Sequence, residues 1–168
     1  MAPNVVFLHA ANDSVSYTAQ TKLDGAKQKY PLGSEFIVHS LYINRANGLR
    51  LEQRRPGTGT KYLIVDTIKK WNWVYLDSTK NILGYNCKKA VIHQDRQATV
   101  AWYAPEISTT SGAFGYGGLP GFILELYYPQ QDIKRTAISI KFEDVAIIEP
   151  TKGKRISMAS FDKKFTRY

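Results

Sequence analysis

The chain has 168 residues, enough for one folded domain with a core of its own. Its hydrophobic content of 43%, with 12% aromatic residues, excludes a disordered chain and favours β structure, where aromatic pairs stabilise neighbouring strands. The single cysteine excludes an internal disulfide and a cysteine-rich zinc site. No stretch of the sequence approaches the about 20 apolar residues that are needed to span a bilayer.

The formal net charge of +9 is concentrated near the C-terminal end. Residues 151–168 hold six basic groups and one acidic group, a net charge of +5, whereas the other 150 residues carry only +4. Such a segment is typically a solvated end, or a loose contact to anionic lipid or nucleic acid. We therefore expect three parts: a flexible N-terminal segment over 1–14, a single β-domain over 15–150 and a basic C-terminal segment over 151–168.

Strand patterns begin in the first third of the chain. A weak strand over Tyr17 to Gln20 is followed by a polar turn, and a stronger strand is predicted from Glu35 to Ile43. A short helix over Leu41 to Gln53 is an alternative for part of this region, although Gly48 weakens it. A loop rich in proline and glycine follows at 54–60.

The rest of the chain is predicted to contain six further strands. They are Tyr62 to Thr67, Trp71 to Leu76, Tyr85 to Gln94, Ala98 to Ala104, a strand that starts at Phe122, and Arg135 to Phe142. The last of them has the cleanest alternation, which is typical of a sheet with one solvated side, and its pattern extends into Val145 to Ile148. Regularly spaced strands with short turns predict a mainly β fold with little helix. We expect a single antiparallel meander that forms an open barrel or a curved half-barrel.

A glycine-rich loop precedes the strand that starts at Phe122. Five glycines lie between 112 and 121 among large apolar residues, which is typical of a packed loop and not of a flexible linker. Residues 119–122 suit a type II turn, because Pro120 presets φ and Gly121 accepts a positive φ. In the following strand, the even-numbered residues 122 to 128 are expected on one face and the odd-numbered residues 123 to 127 on the other.

Three motifs occur along the chain in a fixed order. They are Ile-Leu-Gly-Tyr-Asn-Cys-Lys-Lys-Ala at 82–90, Ala-Trp-Tyr-Ala-Pro-Glu-Ile at 101–107 and Gly-Leu-Pro-Gly-Phe-Ile at 118–123. In their order and spacing they resemble the GLPGLI family of exported envelope proteins, with Phe122 at the position that is leucine in the family name. The resemblance covers Trp73 to Glu125. It implies an exported protein in the periplasm or at the outer membrane, without an established activity, whose signal peptide is absent from this chain.

The resemblance and the curved sheet lead to the first functional hypothesis, a non-catalytic envelope protein that binds a hydrophobic ligand, a peptide or a protein partner. Because rigid turns position exposed groups well, we expect two turn segments to border the site. The predicted site residues are Trp102, Tyr103, Glu106, Tyr116, Gly118, Leu119, Pro120, Gly121, Phe122 and Glu125. No cofactor, metal or nucleic acid is expected as a partner, and the basic segment is compatible with peripheral membrane contact.

Two alternative functions remain open. Glu106 and Glu125 could serve as the general acid and base of a hydrolase, provided that their carboxyl groups converge in a cleft. The basic C-terminal segment could instead bind nucleic acid or another anionic surface, with an affinity that falls steeply as salt increases.

The remaining candidate groups favour structural roles. Cys87 and His93 lie six residues apart on one predicted strand, about 20 Å, which is too far for a direct hydrogen bond. Cys87 is therefore expected to be a small buried apolar group. Trp71, Trp73 and Tyr75 share one strand face and, with nearby lysines, could form a stacking surface for a base or a sugar, although core packing is favoured. The histidines and acidic residues show no metal-ligand spacing.

Overall fold

The structure is a computed structural model, and it describes residues 5–11, 14–20, 38–56, 59–94, 96–143 and 146–165, with side chains from Ser40 onward. Backbone contacts divide the chain into two compact units. The first unit is Met1–Ile68 together with Ala146–Tyr168, and the second unit is Lys69–Val145.

The described residues of the first unit form a six-stranded sheet and one helix. Its elements are β1 (Val5–Ala11), β2 (Ser14–Gln20), β3 (Val38–Asn44), β4 (Leu49–Arg54), β5 (Tyr62–Thr67), β11 (Lys154–Ser157) and α1 (Met158–Phe165). Strands β1 to β5 pair antiparallel in chain order, and β11 adds to β5 in parallel. Residues alternate between the faces of a strand, so Tyr62 and Ile64 of β5 contact α1, while Leu63 packs on the other face with Leu51.

Helix α1 folds onto the sheet through its aromatic residues. Its first turn is capped by Ser157, whose hydroxyl accepts a hydrogen bond from the backbone N–H of Ser160 at 3.2 Å. Phe161 and Phe165 are four residues apart and therefore share one helix face. The ring centroids of both lie close to that of Tyr62, at 5.7 and 5.2 Å, in edge-to-face geometry. Most of the basic C-terminal segment is thus part of the first sheet and its helix.

The second unit is a five-stranded antiparallel meander. Its strands are β6 (Val74–Ile82), β7 (Tyr85–Gln94), β8 (Gln97–Ala104), β9 (Phe122–Tyr128) and β10 (Ile133–Thr136). Each strand pairs with its neighbours in the chain, in the order β10-β9-β8-β7-β6. The prediction of a mainly β, open and largely antiparallel fold with little helix is confirmed, and its strands are divided between two sheets.

The two faces of the second sheet have separate apolar clusters. The face called here the Tyr103 face buries Ala90, Ala101, Tyr103, Leu119, Ile123 and Leu126. The face called here the Trp102 face buries Ile82, Cys87, Ala104, Ile107 and Leu124, with Trp102 half-buried beside them. Trp102 and Tyr103 are neighbours in β8, so they point to opposite faces.

A β-bulge in β9 overturns the predicted alternation of that strand. Trp102 pairs with Glu125, whereas Tyr103 pairs with Ile123, so one extra residue of β9, Leu124, lies between the two pairs. Leu124 packs on the Trp102 face and Leu126 on the Tyr103 face, although both were expected on one side. Because directly paired residues share a face, the bulge also places Glu125 on the Trp102 face.

The alternative of a short helix over Leu41 to Gln53 is wrong, because this region forms β3, a turn and β4. The side-chain oxygen of Asn44 accepts hydrogen bonds from the backbone N–H groups of Ala46 and Asn47, at 3.1 and 3.4 Å. Such local bonds favour a turn over a helix, and Gly48 adopts a positive φ of 69°.

Other strand boundaries also differ from the prediction. Strand β1 lies in the segment that was expected to be flexible, and β6 begins three residues later than predicted and continues to Ile82. The start of the predicted strand over Glu35 to Ile43 falls outside the described residues.

The long strand predicted from Arg135 ends at Thr136. The N–H of Ala137 still bonds to the carbonyl of Leu124 at 2.8 Å, where the bulge bends β9. Ile138 and Phe142 are 76% and 77% exposed. Alternation persists after Thr136, but it does not supply a hydrogen-bonded neighbour. Residues 146–148 also lie outside the strands, and Val145 is outside the described residues.

Candidate functional site

The glycine-rich loop turns sharply just before β9. The N–H of Gly121 donates to the carbonyl of Leu119 at 2.8 Å, and Gly121 has a φ of 152°. The positive φ predicted for Gly121 is confirmed, but the bond spans three residues and not the four of a type II turn. A Cβ atom on Gly121 would lie 2.3 Å from the carbonyl oxygen of Ala104. The close approach to the end of β8 therefore requires glycine here.

Two tryptophans hold the same loop on the Tyr103 face. The indole N–H groups of Trp71 and Trp73 donate to the carbonyls of Gly115 and Gly117, at 3.3 and 2.9 Å. Tyr116 stacks on Trp71 with a centroid distance of 4.5 Å, and the Lys69 ammonium lies 4.5 Å from the centroid of the same indole. Trp71 is therefore engaged by the loop carbonyl, the Tyr116 ring and the Lys69 ammonium, which favours a packing role for this indole.

The Trp102 face carries a polar cluster that is built across four strands. Glu125 is only 5% exposed, and its Oε1 forms an ion pair with the Nζ of Lys80 from β6. Its Oε2 accepts a hydrogen bond from the hydroxyl of Thr136 at 2.7 Å. To reach Glu125, the Lys80 side chain passes over Trp102, with its Nζ 4.5 Å from the ring centroid. The buried carboxylate therefore fixes an ammonium group above an indole.

A second ammonium group lies near the same indole. Lys89 is directly opposite Trp102 in the pairing of β7 with β8, and its Nζ is 5.7 Å from the ring centroid. No ion pair of Lys89 with an acidic group is found in the described part of the chain. Two ammonium groups thus lie near the indole, and of these Lys80 is paired with an acid of the described residues whereas Lys89 is not.

Cys87 lies beneath this cluster, paired with Lys80 in the register of β6 and β7. Burial raises the pKa of its thiol above the ordinary value of 9.0, the nearby Lys80 ammonium opposes this rise, and Glu106 and Glu125 add to it. The thiol is therefore protonated at neutral pH and is a poor nucleophile, which agrees with the expectation of a small buried group.

Cys87 is expected to resist alkylation by iodoacetamide in the folded chain and to react readily once the chain is unfolded in urea. A raised folded-state pKa stabilises the fold fully below the unfolded value, and that contribution is lost as pH rises through the folded value. The free energy of unfolding should therefore fall more steeply above pH 9.0 in the parent chain than in a Cys87→Ala variant. Equal slopes, measured by urea titration at each pH, would contradict the burial of the thiol.

The ten predicted site residues do not come together in one place. Trp102, Phe122 and Glu125 are on the Trp102 face, and Tyr103, Tyr116 and Leu119 are on the Tyr103 face. The four others are in loops: Glu106, Gly118 and Pro120 are exposed, and Gly121 is buried against the end of β8. The sheet separates the two groups, because residues that are neighbours in a strand point to opposite faces.

The hydrolase hypothesis required the carboxyl groups of Glu106 and Glu125 to converge in a cleft, where they could act as acid and base. Both oxygens of Glu125 are engaged, one by Lys80 and one by Thr136, and Glu106 is exposed in the turn after β8. A general base needs a free oxygen within reach of the proton that it removes. In this arrangement the carboxylate of Glu125 is paired with the ammonium of Lys80 and holds it in position.

Sequence reasoning did not identify Lys80 and Thr136 as site residues, and it treated Lys89 only as one of several lysines near aromatic residues. The partner of Lys80 is 45 positions away along the chain. A bulge in β6 between Leu76 and Thr79 sets the register that directs Lys80 to the Trp102 face. The local sequence signal is limited to Lys88 and Lys89, which lie in the strand that precedes the one carrying Trp102.

The described residues contain neither a helix that could span a membrane nor a set of side chains that could bind a metal ion. The helices there are too short and too polar to cross a bilayer. No three histidine, cysteine, aspartate or glutamate side chains of these residues are grouped so that they could hold a metal ion.

Comparison with known proteins identifies a different family from the one expected. Residues 2–163 match the family model described as the N-glycanase peptide, N-terminal domain. Two solved structures of PNGF-II share the fold, one in space group C2 with a TM-score of 0.72 and 18% identity, the other in P21 with 0.75 and 17%. The matches cover 96% and 99% of this chain, but only 29% and 31% of the PNGF-II chains. No curated protein matches the chain.

The GLPGLI resemblance is therefore wrong. Its motifs consist of a turn followed by an apolar strand, and glycine, proline and alternating apolar residues are what such turns and strands require in unrelated β proteins. The periplasmic or outer-membrane location was expected from that resemblance alone and loses its support. Export as such is compatible with an N-glycanase-related protein.

The family also overturns the first functional hypothesis, that of a non-catalytic envelope protein with a hydrophobic, peptide or protein ligand. The hydrolase alternative is nearer to the family, although the roles suggested for Glu106 and Glu125 remain predictions. The family model matches nearly the whole chain, and the fold agrees with it. The chain belongs to the family of PNGase F-II N-terminal domains.

Proposed function

We propose that this domain takes part in the hydrolysis of N-linked glycans, as the N-terminal domain of an N-glycanase-type hydrolase, and that it binds the saccharide of the substrate. The family supports the first part of the proposal. The activity of a whole N-glycanase belongs to the proposal too, because the chain spans only 29% to 31% of the length of the PNGF-II chains. We also propose that the protein is exported from the cell, since glycoproteins are accessible outside it.

The observation that carries saccharide binding is the half-buried indole of Trp102 with Lys80 and Lys89 beside it. An aromatic ring offers an apolar surface to the C–H groups of a sugar ring, and a few fixed polar groups can bind its hydroxyls. Lys80 is held by the buried Glu125, so it does not have to be ordered when a ligand binds. Lys89 keeps hydrogen-bond donors that no acidic group of the described residues uses.

In this proposal the domain recognises the glycan and does not break the bond that links the glycan to asparagine. Glu125 contributes by holding Lys80, and both of its oxygens are occupied. The proposed site is on the Trp102 face, because the large rings of Trp71 and Tyr116 on the other face are used to hold the glycine loop.

Replacement of Trp102 by leucine is expected to weaken binding of a free high-mannose N-glycan by about tenfold, because the ring supplies the apolar contact. Saturation-transfer NMR and calorimetry on the full chain would measure this binding. The matched control is Tyr75→Leu, which removes a 56% exposed ring from the Tyr103 face of the same sheet. Equal losses in the two variants, or no loss in either, would contradict a site at Trp102.

The same glycan attached to a short peptide tests whether the domain only binds the glycan or also hydrolyses its linkage to asparagine. The parent chain alone is expected to leave the glycopeptide intact, as shown by mass spectrometry. Release of glycan with conversion of the linked asparagine to aspartate would reverse this view. Abolition of that release by Glu106→Gln or Glu125→Gln would then support the two-carboxylate hydrolase.

A further inference from the structure

Folding gathers basic residues from three parts of the sequence at one end of the first sheet. Arg54 ends β4, Tyr62 begins β5 and Lys154 begins β11, and the strand pairing places these three positions side by side. With strands spaced about 4.8 Å apart, Arg54 and Lys154 lie within about 10 Å of each other across the sheet. Their side chains point to the face that α1 covers, because Tyr62 contacts the helix there.

Three further cations complete this end of the sheet. Arg55 follows Arg54 directly, and the carbonyl of Lys61 accepts a hydrogen bond from the N–H of Lys154 at 2.8 Å. The carbonyl of Lys152 accepts one from the side chain of Gln53 at 2.7 Å, which ties it beside β4.

Helix α1 adds the sixth cation when its last turn returns to Tyr62. The ammonium of Lys164 donates to the Tyr62 hydroxyl at 3.0 Å and lies 5.4 Å from the ring centroid. The group called here the basic edge therefore comprises Arg54, Arg55, Lys61, Lys152, Lys154 and Lys164.

The charge of the basic edge is poorly balanced. Within the described part of the chain, only Arg54 of the six forms an ion pair with an acid, Glu52, and Glu52 is shared with Arg50. The four side chains of Arg55, Lys152, Lys154 and Lys164 are exposed. Clustered and unpaired surface cations raise the local potential and attract polyanions.

We infer that the basic edge binds an anionic polysaccharide, a partner that the Trp102 site does not require. Single-stranded nucleic acid needs exposed rings for stacking, whereas Tyr62 and Phe161 are buried here. A helix that lies in a membrane interface needs an outward apolar face, whereas α1 turns its phenylalanines inward and presents Lys163 and Lys164 to solvent. An anionic polysaccharide carries its negative charges along a flexible chain, and the clustered cations of the edge complement those charges.

The test is binding of a sulfated heparin octasaccharide to the full chain, measured by calorimetry over a series of salt concentrations. One triple variant changes Arg55, Lys152 and Lys154 to glutamine. Its control changes three exposed lysines of the second unit, Lys70, Lys88 and Lys141, to glutamine. Both variants lose three positive charges, and none of the six side chains belongs to the cluster at Trp102.

The edge variant is expected to bind the octasaccharide at least about tenfold more weakly. Its affinity should also depend less on salt, because fewer contacts form and fewer counterions are released on binding. The control should change the affinity by less than about threefold, through its net charge alone. Equal losses in the two variants would overturn the basic edge as a site. Tighter binding of duplex DNA or anionic lipid vesicles than of the octasaccharide, with the same sensitivity to the edge variant, would overturn the polysaccharide as its partner.

Discussion

Replacement of Gly121 by alanine is expected to cost more than about 3 kcal/mol in the free energy of unfolding. The new Cβ would lie 2.3 Å from the carbonyl oxygen of Ala104 and 2.8 Å from the Cα of Pro105, both backbone atoms. The positive φ of 152° adds a penalty that is independent of this contact. Relief would require β8 and β9 to separate where Ala104 pairs with Phe122.

The matched control for this prediction is Gly118→Ala. Gly118 also has a positive φ, of 83°, but a Cβ there would meet nothing within 4 Å. It should therefore cost only about 1 kcal/mol, the conformational part of the effect. Urea unfolding followed by far-ultraviolet circular dichroism measures both variants. Similar costs for the two would show that the approach of Gly121 to the end of β8 is not tight in solution.

Gly121→Ala is also expected to affect the proposed site at Trp102, because the position of β9 determines where Glu125 lies. Gly121 sets where β9 starts, and the bulge at Leu124 then directs Glu125 to the Trp102 face. A folded Gly121→Ala chain with a shifted β9 should therefore also lose glycan binding, because Lys80 would no longer be held over Trp102.

The parts of the fold that could be predicted from sequence depend on local chemistry. The bounds of β5 and β7 agree with the prediction, and β9 begins at the predicted residue. Each of these strands contains a short run of apolar residues and begins within a few residues of a turn that contains glycine. The positive φ of Gly121 has the same origin.

The parts that could not be predicted depend on register, which is set between distant strands. Nothing in the alternation after Arg135 shows that β9 provides no partner beyond Thr136. Nor does the sequence around Glu125 reveal an extra residue in β9, although that residue decides which face Glu125 occupies. The candidate site was missed for the same reason, since Lys80 and Glu125 meet only through the pairing of the intervening strands.

The basic C-terminal segment contains the sequence pattern of a capped amphipathic helix, which the prediction of a solvated end did not include. Ser157 precedes two phenylalanines that are four residues apart, a cap followed by one apolar helix face. The prediction of a solvated end rested on the concentration of positive charge alone. Charge excess describes the outer face of α1, whereas the spacing of Phe161 and Phe165 determines that the helix packs.

Replacement of Lys80 by methionine is expected to cost about 2–3 kcal/mol in the free energy of unfolding, because it leaves the carboxylate of Glu125 buried with only Thr136 as a partner. Lys80 is 33% exposed, which places the cost below the full range for a buried pair. Glu125→Leu should also destabilise the chain, since it leaves the ammonium of Lys80 without its acid.

A double-mutant cycle separates the interaction from these individual costs. The variant with both Lys80→Met and Glu125→Leu should cost at least about 1 kcal/mol less than the sum of the two single variants, because no charge is left unpaired. Thr136→Val is the control for loss of the hydroxyl alone, at about 1 kcal/mol. Additive costs would mean that the ion pair does not form in solution. Lys80 would then not be fixed over Trp102, and the preorganised cation on which glycan binding was argued would be absent.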